Sequence, residues 1–286
     1  MPPLTAPDVE LAALSEGRAA VDLSAYRIVR VRGNDARQWL HDLVTTDVAS
    51  LRSGEARRSL LLDATGHIRA DLHIIGDDDG FWLLQDPDQT DHVGSALATY
   101  VLSSEVELDD LSGRRSLIAL PGVSEEPGGS RPSVLGEGHD LLRTTSEPGA
   151  PAGRRFVSHD AVEVWRIRAG RPRMGADFDR TAIPAEAGLE ALIDTTKGCF
   201  LGQESVARVR NLGHPPRVLR HLQGDGQIDA GAILTTSAGD EAGSVSSAAV
   251  REGAGTVLIA SVRWAAREQL LRSSDGLALL PVPSLD

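Results

Sequence analysis

The chain has 286 residues, with 41 acidic and 29 basic side chains, a net charge of −12 and 41% hydrophobic residues. That length exceeds the usual single-domain size, so two or three lobes with sizeable cores are expected, and the dispersed acidic excess argues against broad binding to a nucleic-acid backbone. One cysteine excludes an internal disulfide, no basic-then-apolar leader opens the sequence, and no apolar run approaches membrane-spanning length, so a soluble cytoplasmic protein is the simplest reading.

The β-branched run at 28–31 predicts a strand, after which Asn34 or Asp35 can cap a helix carrying Ala36, Leu40 and Leu43 on one face. Strand segments at 58–63 and 68–75 flank Ala64-Thr65-Gly66-His67, which suits a hairpin turn and puts Asp71 within a strand; a further strand follows at 81–84. Residues 88–102 read as a helix, with Val93, Leu97 and Tyr100 or Val101 at helical spacing, before a strand-like 106–108. Mixed strands and helices of this kind indicate an α+β fold.

Between 121 and 153 the chain is rich in Pro, Gly, Ser and Glu, including Glu125-Glu126-Pro127-Gly128-Gly129 and Glu147-Pro148-Gly149, and loops with weak structure between them are expected. Asp160 can cap a second helix whose Val162, Trp165, Ile167 and Ala169 offer an apolar side and which Gly170 and Pro172 stop. Pro215-Pro216 marks a domain boundary, and the short apolar runs beyond it, at 218–222, 233–234, 245–249 and 257–262, alternate with Gly-rich turns as in a small β-barrel or sandwich.

Chemistry concentrates in Lys197-Gly198-Cys199-Phe200-Leu201-Gly202-Gln203-Glu204, just before a helical run at 205–211. An ammonium group and the free N–H groups of a helix start favour thiolate, so Cys199 is a candidate functional thiol with Lys197 as its activator. The competing reading is a small buried hydrophobe, with Gly198 and Phe200 serving a tight turn. Arg166, Arg168, Arg171, Arg173, Arg208 and Arg210 stand out against the acidic background, either as solvated surface or as a patch for carboxylates. Glu204 and Arg208, four apart, can pair on a helix. A single thiol cannot by itself hold an iron–sulfur cluster, and His67 and His73 have no metal-ligand spacing, so no stably bound metal is expected.

The octapeptide resembles the defining motif of the YgfZ family, folate-binding relatives of the glycine-cleavage T protein (aminomethyltransferase) implicated in iron–sulfur protein maturation. The similarity extends to Val21-Asp22-Leu23-Ser24, Leu40-His41-Asp42-Leu43-Val44-Thr45-Thr46-Asp47, Leu62-Asp63-Ala64-Thr65-Gly66-His67-Ile68-Arg69-Ala70-Asp71, the segment from Arg166 to Gly175, and Ile183-Pro184-Ala185-Glu186. It implies a T-protein-like, multi-lobed folate-binding body over 1–214, loop-rich at 121–155, and a small C-terminal β-barrel over 215–286. Tetrahydrofolate or a derivative would be the cofactor, in a central cavity. Asp71 would face its reactive edge and Arg166 its tail, while iron–sulfur client or assembly proteins, including tRNA-modifying enzymes, would be the partners, under oxidative stress in particular. This chain has Ala70-Asp71 where T proteins show two adjacent acidic residues, and Arg168 where they show glutamate. A folate-dependent one-carbon (aminomethyl) transferase is the alternative implied by the same fold, and a folate-independent scaffold is a third reading.

Overall fold

The computed structural model describes residues 1–123, 130–144, 149–251, 253 and 255–282. Its first lobe grows from the hairpin Ala56–Leu62 and Ile68–Asp77, extended by Gly80–Gln85, Arg27–Arg32 and Glu107–Asp110 into a five-stranded antiparallel sheet. Strand alternation gives this sheet two different faces. Leu61, Ala70, Leu72 and Ile74 pack on one core with the helices Ala36–Leu43 and Val93–Ala98, whereas Ile28, Ile75 and Leu84 turn the other way into a core shared with the second lobe.

That second lobe is a five-stranded sheet in the order Arg155–Phe156, Ala19–Asp22, Arg115–Leu120, His139–Thr144 and Arg131–Pro132. His139–Thr144 pairs residue by residue with Arg115–Leu120, so the stretch expected to be loops contributes an interior strand. Its alternating Leu141 and Leu142 face two different cores, a signal the surrounding Pro and Gly obscured; the Pro/Gly runs at 125–129 and 147–148 lie outside the described residues. Helix His159–Arg168 covers this sheet, capped not by Asp160 but by Ser158, whose Oγ accepts the Ala161 N–H at 3.2 Å. Asp160 falls instead in the first turn, where its charge complements the helix dipole.

The helix expected over 88–102 is confined to Val93–Ala98. Asp86 Oδ1 accepts the Asp88 N–H at 2.8 Å, and the Gln89 carboxamide is engaged with the backbone of Asp71, so these side chains hold a turn in place of the first helical turns.

Beyond Pro216, strands Arg217–Asp225, Gly255–Arg263, Glu241–Arg251, Ile233–Thr236, Leu271–Arg272 and Ala278–Pro281 close a six-stranded barrel, the last returning to the first through Leu222 and Pro281. Its interior is small and aliphatic, with Leu234, Leu258, Ala260 and Val262 fully buried. The opening residues of the chain add to it: Leu4 bridges to Ala249 and exchanges backbone hydrogen bonds with Ala248 and Val250. No helix of the described residues is long and apolar enough to cross a membrane.

Candidate functional site

The cysteine loop is braced from three sides. Asp194 Oδ1 accepts from the backbone N–H groups of Thr196 (2.8 Å) and Lys197 (3.1 Å) and from the Thr196 hydroxyl (2.7 Å), fixing the turn that leads in. Lys197 reaches back to the end of helix Ala36–Leu43, donating to the carbonyls of His41, Val44 and Thr46, where orphan carbonyls and the helix dipole favour a cation. Phe200 drops into a core with Leu60, Leu62, Ile68 and Met174, and the Lys197 ammonium sits 5.5 Å from its ring centroid.

Gly202 then begins the helix Gln203–Leu212 at φ +83°, in the left-handed region. A Cβ there would lie 2.5 Å from the Asp63 carbonyl, and a Cβ on Gly66 of the hairpin tip would lie 2.9 Å from Ser205 Cβ. Two glycines therefore let hairpin and helix start meet at backbone distance. The turn itself is held by Asp63, whose Oδ1 accepts from Thr65 N (2.8 Å) and His67 N (3.0 Å).

Amid this bracing Cys199 is exposed. Burial as a small hydrophobe is thus excluded, while Gly198, beside it, has open space where a side chain would stand. The expected activation by Lys197 is not what the contacts show: an ammonium has three N–H donors, and three carbonyls take them. Burial lowers the Lys197 pKa to about 8 against the pull of Asp42, Asp47 and Asp194. The lysine anchors the loop. Gln203 closes it, with its Oε1 3.4 Å from the Phe200 N–H, and among the described residues no ion pair joins Glu204 to Arg208.

Asp71 lies on the face of the first sheet that looks to the lobe junction. In the hairpin register Leu60 stands opposite Asp71 and Arg58 opposite His73, so Arg58 is the diagonal neighbour of Asp71 on the same face. Its guanidinium takes both carboxylate oxygens, at 2.8 and 2.5 Å. The Gln89 carboxamide pins the Asp71 backbone on both sides, at 2.9 and 2.8 Å. His73 contacts the Pro132 carbonyl at 2.9 Å through Nε2; burial lowers its pKa to about 4, so the neutral ring donates. Tyr26, Asp86, Asp140 and Arg173 crowd the same junction: burial, then Asp86 and Asp140, hold the Tyr26 phenol well above its usual value, and burial pushes Asp140 up to about 7. Asp140 is supplied by the strand that was expected to be loop.

Arg166 has a different fate from the one its motif suggested. It is 7% exposed, and it donates to Glu163 (2.9 Å), the Arg171 carbonyl (3.1 Å), Asp177 (2.7 Å) and Ser247 Oγ (3.0 Å). A β-bulge between Val245 and Ser247 brings two consecutive serines to the same carboxylate, Asp177 Oδ1, at 2.7 and 2.6 Å. This cluster latches the body to the barrel and leaves Arg166 no donor for a ligand tail. Arg168 donates to the Val250 carbonyl, Arg171 lies over the Trp165 ring at 4.6 Å, and Arg173 binds Asp88 at 2.6 Å. Only Arg208 and Arg210 of the six arginines have neither hydrogen bond nor ion pair among the described residues, and both are exposed.

The structure thus joins Lys197 to the Leu40–Asp47 motif and Asp71 to Arg58. Sequence reasoning missed Arg58, Gln89, Tyr26, Asp140 and Asp177. The Arg58 contact was readable from the hairpin register; the others depend on long-range packing. Among the described residues no group of three or more His, Cys, Asp or Glu could hold a metal ion. A cavity of about 710 Å³ lies between the hairpin tip, helix Gln203–Leu212 and the barrel edge, and neither Asp71, Arg166, Lys197 nor Cys199 lines it.

Residues 5–125 match the GCVT N-terminal domain family. The tRNA-modifying protein YgfZ of Enterobacter sp. (strain 638) is 29% identical, over 77% of this chain and 77% of its own length. An aminomethyltransferase of Geobacillus thermodenitrificans is 26% identical over 77% of this chain and 72% of its own. The crystal structure of the glycine cleavage system aminomethyltransferase T from Bartonella henselae superposes with a TM-score of 0.80 at 22% identity, covering 99% of this chain and 91% of that one. The α+β architecture with its C-terminal barrel is therefore a GcvT-like fold, and the domain match and the relatives support a YgfZ/GcvT-superfamily assignment.

Proposed function

We propose that this protein is a cytoplasmic, folate-binding maturation factor that supports assembly or repair of iron–sulfur cluster proteins, presenting Cys199 to them from the braced loop. The observation that carries this reading is the combination at 197–203: Lys197, Phe200 and Gln203 around Cys199 are anchored, yet the thiol itself is exposed. A rigidly displayed thiol suits contact with a macromolecule better than chemistry in a closed pocket. Relatives bearing the name tRNA-modifying protein support tRNA-modifying enzymes among the clients.

Tetrahydrofolate is the cofactor of this reading, and the lobe junction fits its pterin end. Asp71, Asp86 and Glu163 supply acceptors for the amino and ring N–H groups of a reduced pterin, and the Tyr26 hydroxyl has no hydrogen-bond partner among the described residues. When bound, the folate would supply a one-carbon acceptor at its reduced ring nitrogens. Arg58 holds the Asp71 carboxylate in place through both of its oxygens, and Arg166 supports the junction from the barrel side without touching the ligand.

The aminomethyltransferase alternative draws on the shared fold, but this chain has Ala70-Asp71 where the resemblance implies two adjacent acidic residues. Activity of an iron–sulfur enzyme would be measured under oxidative stress in cells lacking the protein and rescued with wild type, Cys199→Ala or Asp71→Asn, alongside calorimetry of tetrahydrofolate with each purified form. Rescue by wild type alone, with folate binding retained in Cys199→Ala and weakened in Asp71→Asn, is the expected pattern. Full rescue by Cys199→Ala would remove the thiol from the function, and folate-dependent turnover of a small amine would establish the transferase.

A further inference from the structure

Arg208 and Arg210 both line the cavity of about 710 Å³ between the hairpin tip, the helix Gln203–Leu212 and the barrel edge. Two exposed cations with no anionic partner among the described residues are a local reversal of charge in a chain whose net charge is −12. Glu190 is the sole carboxylate among the lining residues, and it too is exposed. At the barrel edge Trp264 lies parallel to His214, with ring centroids 4.9 Å apart and planes 2° from coincidence, and the Arg267 guanidinium rests over the indole at 3.8 Å. His214 is exposed, so this stack presents a flat aromatic surface inside a cavity otherwise walled by side chains such as Ile183, Val206 and Val209.

We propose that this cavity binds a small aromatic anion, a planar ring stacked on the exposed side of His214, which Trp264 backs, with its phosphate or carboxylate groups held by Arg208 and Arg210. The volume falls within the roughly 300–1,000 Å³ usual for small-molecule sites. Guanidinium groups match either kind of acid bidentately, and stacking on an already ordered aromatic pair favours a ring over a bare anion. A neutral aromatic would leave the two arginines without a purpose, and an inorganic anion would leave the stack without one. Neither Asp71 nor Cys199 lines this site, so it does not depend on the function proposed above.

The test is calorimetric titration of the full chain with AMP, with p-aminobenzoyl-glutamate and with inorganic phosphate. At least one ring-bearing probe is expected to saturate at least about tenfold more tightly than phosphate. The Arg208→Gln/Arg210→Gln double variant and His214→Ala should each weaken it by about tenfold or more, with an unchanged unfolding midpoint in both, and Cys199→Ala should bind as wild type does. Preference for AMP would identify the acid as a nucleotide phosphate, and preference for p-aminobenzoyl-glutamate would identify a carboxylate. Saturation by neither ring-bearing probe, equal affinity for phosphate, or wild-type affinity in the arginine variant would overturn the proposal.

Discussion

The loop at 197–203 and the helix His159–Arg168 carry the residues that stood out in the sequence, and they use them in opposite ways. In the loop, Lys197, Phe200 and Gly202 are consumed by packing so that one reactive atom is left outside. In the helix, Arg166 is itself the consumed atom set, its donors divided among Glu163, Asp177, Ser247 and a carbonyl. A motif residue can thus be prominent because it displays chemistry or because it supports what displays it, and burial with saturated donors separates the two cases.

The sharpest way to break the comparison is to remove the supporting charge. Arg166→Ala strands the fully buried Asp177 carboxylate, and a loss of about 3–5 kcal/mol in chemical denaturation is expected, with the thiol of Cys199 titrating with a disulfide reagent at the wild-type rate under native conditions. The next effect belongs to the lobe junction. Asp140 keeps its proton up to about pH 7 in the folded chain against an ordinary value of 3.8, so the folded state binds more protons across that window and stability falls as pH rises through it. Asp140→Asn should abolish that fall, which amounts to about 4 kcal/mol at most; parallel pH profiles for the two proteins would show that the carboxyl is not the cause.

Gly202→Ala tests the loop's bracing, since the added Cβ would meet the Asp63 carbonyl in a left-handed backbone. A loss of about 1–3 kcal/mol is expected, together with faster proteolysis between 195 and 203. The smallest change is Cys199→Ala, within about 0.5 kcal/mol of wild type because the side chain is exposed, yet it should eliminate all thiol labelling. A large destabilisation here would collapse the distinction between displayed and supporting residues.

Much of the body was legible from alternation and turn chemistry: the hairpin around Gly66, Asp71 in a strand, the helix after Ala36 and the barrel strands after Pro216 all lie where the patterns pointed. Local signals failed where side chains serve distant backbone. Gln89 looks like a helix residue until the Asp71 strand arrives to use it, and His139–Thr144 looks like linker until Arg115–Leu120 pairs with it. The candidate site followed the same rule: exposure of Cys199 and the anchoring role of Lys197 depend on the Leu40–Asp47 segment more than 150 residues earlier.

The first helix, Asp8–Ser15, has its own lesson. Glu10 accepts from Ser158 Oγ at 2.6 Å, a contact spanning 148 residues, and Leu11 and Leu14 share a core with Val162 and Ile167. At ribosomal speeds of about 5–20 residues per second, roughly seven to thirty seconds separate the synthesis of these partners. Throughout that interval the opening helix lacks the part of its native cover that Val162 and Ile167 supply, so a nascent chain of this protein offers chaperones an early handle before the second lobe is complete.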